Sequence, residues 1–494
     1  MKYIKIATLF LGLATLTSCS DELSIDPVGL LTDEQINATP TKTTIENSVS
    51  SSYLLLGNTF NLMGDWDWAG GLVTNNDIIL QDVASDDMQK TWISNSDQPW
   101  MDELDNFTYT SSNGGISGMW KYNSEGIKRV NIALDFLLNP NIESITGITT
   151  ARKNQLLGEA YFLRSFYYFR MVNDFGDVPL ILTTIESYQQ AFDKAVRAPK
   201  AEVWDQINTD LALAKDLLPN AKISSETEPW RVSKGVVIAL QAKSALYNQK
   251  WGEVITNVNE LQGLGFYNLN ANYFDNFSTQ TEFTDNEVIF SFDHQSNVVP
   301  ARGNGYCALL GWGFFAPTTD FTNSFEPNDP RKSYTVNRDK EWGNKILGTI
   351  NGTNKGSDQS PSNKVYMRYA DVLLWKAEAL NETGDYSGAV TIINQIRTRA
   401  RTTITVDGTI SPAGTLPNRP SSSDKTTIKN WLITERRAEL GFENQRFADL
   451  KRWGIVKEVM TASGKKFQDK NMLYPIPQSE IDKTAGKLTQ NPGY

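Results

Sequence analysis

Two separated stretches of this chain are written to one plan. Residues 242–255, AKSALYNQKWGEVI, and 377–390, AEALNETGDYSGAV, each run small apolar residues into a polar turn, then an aromatic, then a second apolar period. Small side chains let helices approach closely, and the aromatic wedges between them, so each stretch predicts a packed helix pair. Their wide separation predicts a scaffold of helix pairs interrupted by long insertions, not a continuous solenoid. Two further runs carry helical period. In GEAYFLRSFYYFRMVNDFGDVPL, residues 158–180, Ala160, Leu163, Tyr167, Met171 and Val172 recur at helical intervals, and Gly176 with Pro179 ends the run. Between Val203 and Leu218 the set Trp204, Ile207, Leu211, Ala214 and Leu218 steps by three and four, with Pro219 as the stop.

The insertions are composed differently. Residues 57–126 and 262–360 scatter Gly, Asn, Asp and Ser among aromatics and lack a sustained apolar period, which predicts loops with few short strands, one at Glu287 to Phe292. Loops this long in a compact protein usually carry function. The segment LLGWGFFAP at 309–317 holds Trp312 between two glycines, which argues against a helix interior or a central strand. Large rings are thereby placed on turning backbone, where they either fold back into the core or face a partner. The chain has 13 tryptophans and 11% aromatic residues, more than a core of this size requires, so some rings are expected on display. A formal charge of -10 gives phosphate backbones nothing to attract them, which sets nucleic acid aside as a ligand.

The N-terminus, MKYIKIATLFLGLATLTSC, orders Lys2 and Lys5, an apolar run from Ile6 to Leu16, and small or polar residues up to Cys19. That is the order of a secretory signal, with an apolar run too short to span a bilayer, which disfavours a membrane anchor. Leu16-Thr17-Ser18-Cys19 resembles the bacterial lipoprotein box, in which the cysteine is acylated and becomes the first mature residue. Ser20-Asp21-Glu22 behind it resembles the surface-export signal of Bacteroidetes lipoproteins. With Cys19 lipidated, Cys307 stands alone, and a buried small hydrophobe is favoured there over a reactive thiol.

Taken together, the lipoprotein box, the 158–180 block, RYADVLLWKAEALNETGDYSGAVTIINQIRTRA at 368–400, ITERRAELGFENQRFADLKRWG at 433–454, and the closing YPIPQSEI and QNPGY resemble the SusD/RagB family of Bacteroidetes surface lipoproteins. The resemblance runs over essentially the whole length. It implies a mainly α, SusD-like fold, with tetratricopeptide-like helix pairs as scaffold and a loop-rich subdomain with few short strands as the binding face. The expected organisation is a signal peptide over 1–18, a lipidated tether over 19–44 and one domain over 45–494, whose binding insertions are 57–126 and 262–360 and whose family blocks fill 361–494. It also implies a location on the outer membrane facing the cell exterior, and a partner: a SusC-like TonB-dependent transporter on which the lipoprotein sits as a lid.

The resemblance implies glycan capture, and the residues supply the chemistry for it. A sugar ring offers C–H groups on its face and hydroxyls at its rim, so it suits an aromatic plate edged by hydrogen-bonding side chains. Trp312 and Tyr306 from one insertion, Trp100 and Trp92 from the other, then Trp66 and Trp68, are the candidate plates. Arg302 and Asn304 are candidate polar partners. For each ring the competing reading is core packing. Two alternative functions stand beside this one: a peptide-binding import lid of the same family and, less favoured, a glycoside hydrolase. Against the hydrolase, no motif places two carboxylates recognisably, and His294 is the sole histidine. Glu435, Arg436, Arg437, Glu439, Glu443, Arg446 and Asp449 alternate in sign as an ion-paired helix surface would, which favours a structural role. No cofactor or metal is expected; Asp- and Asn-rich loops lack a regular ligand spacing.

Overall fold

A computed structural model describes residues 40–63, 74–91, 97–336 and 343–494. The expected signal peptide, Cys19 and most of the tether lie outside the described residues, as do Trp66, Trp68 and Trp92. Long helices dominate, and they stack in sequence order. Lys42–Leu54 packs on Gly114–Leu137, that on Thr150–Phe175, that on Lys200–Leu217, and that on Lys234–Tyr247. The two repeat-like stretches fold as predicted: Lys234–Tyr247 pairs with Trp251–Gly263, and Tyr369–Thr383 with Tyr386–Thr402.

Small residues set the helix spacing. A Cβ on Gly126 would stand 2.4 Å from the ring of Tyr167 on the next helix, so only glycine lets Gly114–Leu137 and Thr150–Phe175 meet here. Chain reversals are specified locally as well. Gly384 ends one helix at φ +91°, a left-handed backbone that suits glycine, and the Asp385 side chain caps the next by accepting from Gly388 N at 2.8 Å.

Two expectations change. The helical row is continuous, because Trp251–Gly263 packs directly against Tyr369–Thr383, so the 262–360 insertion loops out without breaking the stack. The 57–126 insertion is only partly irregular: Pro99–Asn106 and Gly114–Leu137 within and beyond it are helices. The Asn113 side chain caps the second of these by accepting from Ile116 N at 3.2 Å, and the helix buries fourteen residues against its neighbours, which outweighs the poor intrinsic propensity of its opening GGISG.

Strands are few among the described residues. Three two-stranded antiparallel sheets pair Met88–Lys90 with Phe315–Pro317, Val178–Pro179 with Arg197–Ala198, and Val288–Phe292 with Lys364–Arg368.

Charges that the sequence placed on a helix surface lie instead at the centre of the protein. Glu439, 0% exposed, accepts from Arg331 at 2.9 Å and Arg368 at 2.6 Å, and also pairs with Arg399. Arg331 reaches Glu435 and Asp329 at 2.7 Å each, Arg368 reaches Glu287 and Glu443 at 2.8 Å, and Arg397 joins Glu435 at 3.0 Å. The partners come from the insertion (Glu287, Asp329, Arg331), the Lys364–Arg368 strand, the scaffold helices Tyr386–Thr402 and Lys425–Leu440, and Glu443 just beyond the second helix. Buried charge of this kind is tolerated because each guanidinium fork is matched by carboxylates in hydrogen-bonding geometry. The network therefore rivets the loop-rich insertion to the helical stack.

Candidate functional site

Trp312 sits where two constraints meet. The short helix Gly305–Gly311 ends on it, with Trp312 N donating to Ala308 O at 2.8 Å, and Gly313 then turns the chain at φ +82° into the strand Phe315–Pro317. That strand is held by Met88–Lys90, and Thr91 adds two bonds: its amide donates to Phe314 O at 2.9 Å and its hydroxyl donates to Gly313 O. The two insertions are thus fastened together directly under the indole. The residue is 38% exposed, and its ring is braced by Phe60 at 5.9 Å and, nearly perpendicular, by Phe314 at 6.4 Å between centroids. An indole exposed to this extent, yet held by neighbouring rings, offers a firm apolar plate.

The helix beneath it is equally fixed. A Cβ on Gly311 would stand 2.1 Å from Gly356 N, whose amide donates to Cys307 O at 2.9 Å. Gly311→Ala is therefore expected to push the 352–356 loop away and to destabilise the protein by about 1–3 kcal/mol, measured by denaturant unfolding. An unchanged midpoint would mean that the loop gives way freely. Cys307 is fully buried, and burial pushes its thiol up to about 12, which fits a small core residue and not a nucleophile.

The other candidates divide. Tyr306 is buried: its hydroxyl donates to Asp77 Oδ1 at 2.5 Å and accepts from Ile78 N at 3.1 Å, so the ring clamps the two insertions and is not offered outward. Asn304 is buried too; it caps the short helix by accepting from Tyr306 N at 3.0 Å and donates to Ser362 O at 2.8 Å. Trp100 is 3% exposed, its indole N–H donating to Gln98 at 2.6 Å and its ring pressed where a Cβ of Gly115 would be, 2.5 Å away. These three side chains serve the core or the caps, and burial withholds them from direct contact with a ligand. Trp66, Trp68 and Trp92 lie outside the described residues.

Arg302 occupies a different place from Trp312. Its guanidinium lies 5.6 Å from the centroids of both Trp230 and Phe292 and pairs with Asp293 at 3.0 Å. These side chains line a cavity of about 440 Å³. Trp230 is not among the sequence candidates, although a signal was present: a lone large ring in the polar, turn-rich stretch AKISSETEPWR.

The carboxyls with perturbed acidity do not form a facing pair at this cavity. Burial raises Asp82 and Glu282 to about 8, yet neither lines it. Burial would raise Glu439 as well, but Arg399, Arg368 and Arg331 hold it well below the ordinary carboxylate range. His294 is pushed down to about 3 by burial and stays neutral, its ring Nδ1 2.7 Å from Arg302 O.

Two family models match the chain, one described as the SusD family over residues 343–494 and one described as starch-binding associating with outer membrane over residues 40–246. Between them they cover more than half of the chain. SusD-like protein P2 of Formosa agariphila is 26% identical and aligns over 100% of both chains; SusD-like protein P38 of the same organism is 26% identical over 96% of each. Among solved structures, a laminarin binding SusD-like protein superposes with a TM-score of 0.74 at 24% identity, covering 92% of this chain and 100% of its own. Surface glycan-binding protein A from Bacteroides thetaiotaomicron, in complex with laminarihexaose, superposes with a TM-score of 0.72 at 21% identity, over 91% of this chain and 99% of its own. These structural likenesses concern the fold.

Proposed function

The chain belongs to the SusD/RagB family, and from that membership together with the braced, exposed indole of Trp312 we propose that it is a glycan-binding protein of the outer membrane. The observation that carries the reading is the plate itself: a large ring kept partly in water at the junction of the two insertions and held in place by Phe60 and Phe314. Trp66, Trp68 and Trp92 are the further candidate plates of the same reading. Two of the solved structures that superpose on the chain are named as laminarin- or glycan-binding proteins, which supports capture without cleavage. In this proposal residues 1–18 are a signal peptide, Cys19 carries the lipid that holds the protein at the cell exterior, and residues 19–44 are a tether to the domain at 45–494. Among the described residues no helix is long and apolar enough to cross a membrane, which is compatible with anchorage by lipid. The captured oligosaccharide is handed to a SusC-like TonB-dependent transporter.

Native affinity electrophoresis tests the binding step. Gels containing laminarin, starch, cellulose derivatives, xylan or mannan should include at least one that retards the purified protein. Unchanged mobility in every gel, with peptides giving heat on titration, would replace glycan by peptide as the cargo. Release of reducing ends on prolonged incubation would overturn the non-enzymatic reading.

A further inference from the structure

The 440 Å³ cavity beside Arg302 is separate from the Trp312 plate: neither Phe60 nor Phe314, the rings that brace Trp312, lines it. Its walls come from the Lys42–Leu54 helix, the Val288–Phe292 strand, Trp230 and the 295–302 loop. That loop is drawn closed by Gln295 N donating to Arg302 O at 3.0 Å, which places Val298, Val299 and Pro300 at the rim. The size is that of a small-ligand pocket, about 300–1,000 Å³, and the composition fits one: mainly apolar walls with a few convergent polar groups.

The polar groups narrow the ligand. Among the described residues, Asp293 and Arg302 are the only charged side chains lining the cavity, and they neutralise each other. An anion or a cation would have to break that pair. The pair is organised further: Gln295 Nε2 donates to Asp293 Oδ2 at 2.7 Å, and the guanidinium is flanked by the Trp230 and Phe292 rings. Trp230 is itself fixed, by Arg231 at 4.5 Å from its centroid and by a nearly perpendicular contact with Tyr53 at 5.0 Å. Apolar ring surface edged by a carboxylate, a guanidinium and amides is the inventory that takes the C–H face and the hydroxyl rim of an uncharged sugar.

We propose that this cavity is a second saccharide site, which takes a short neutral segment of the glycan at a place separate from Trp312. The assignment rests on the glycan-binding reading above. Its test is titration calorimetry with laminarihexaose, maltohexaose, cellohexaose, xylohexaose and mannohexaose, on the wild type and on Asn47→Trp, Arg302→Ala and Trp312→Ala. Asn47 is an exposed helix residue at the cavity wall, so a tryptophan there fills the opening without disturbing the core, and it decides the matter even where Arg302→Ala folds poorly. With the hexasaccharide that binds, Asn47→Trp should lose one of two sites or weaken binding about tenfold or more. Loss on Trp312→Ala combined with wild-type binding by Asn47→Trp and Arg302→Ala would overturn the second site and leave the glycan-binding reading standing. Absence of binding by the wild type to all five would overturn both.

Discussion

Glu439→Ala should be the most damaging single substitution on the scaffold, lowering the unfolding free energy by about 3–5 kcal/mol or preventing folding outright. The carboxylate is fully buried and shared by Arg331, Arg368 and Arg399; its removal leaves these three guanidiniums with one buried carboxylate fewer between them, so Asp329, Glu435, Glu287 and Glu443 must balance an excess of buried positive charge. The loss is not confined to one helix. Arg331 belongs to the insertion and Arg368 to the strand that pairs with Val288–Phe292, so the rivet between binding face and helical stack is loosened. Acidity gives a second reading of the same bond. The Glu439 carboxyl is held well below its ordinary value in the folded protein, so its stabilising contribution is complete above the unfolded value of about 4.3 and is lost as pH falls toward the folded value. Guanidinium unfolding at pH 7 and at pH 3, well inside that window, measures both. A wild-type that loses stability on acidification beside a variant that loses less is the expected pattern, and a variant within about 1 kcal/mol of wild type at pH 7 would show that the network is not the rivet.

Trp312→Ala should do the reverse: weaken glycan binding about thirtyfold, roughly 2 kcal/mol, while changing stability by less than about 1 kcal/mol. The indole is already 38% exposed, stands at the end of a short helix and leaves its braces, Phe60 and Phe314, in place when it is removed. Trp100→Ala supplies the contrast. That ring is 3% exposed and packed against Gly115, so its loss is expected to cost about 3–5 kcal/mol of stability, with any effect on binding following from the fold. Calorimetry and denaturant unfolding on both variants separate the two roles. Equal loss of stability in the two would assign Trp312 to the core.

The sequence is most legible where the physics is local. Helix pairs follow from small residues, turns and aromatics within about fifteen positions, and the prediction of turning backbone around Trp312 needed only its two glycines. Burial of particular rings was not legible, because it is decided by distant partners: the Tyr306 hydroxyl meets Asp77, 229 positions away. The helix Gly114–Leu137 was hidden by its glycines, since Gly115 is there for contact with Trp100 and Gly126 for contact with Tyr167, not for turns. The charges at 435–449 did show helical spacing, but spacing alone does not say which way a face points. Their partners Arg331, Arg368, Arg397 and Arg399 lie far off in the chain, and only their convergence reveals an interior network.

A crystal structure of the protein soaked with the hexasaccharide that binds most tightly bears most directly on this account. It should show a sugar ring lying flat against the Trp312 indole. A bound glycan elsewhere on the surface, with that indole left uncovered, would contradict it.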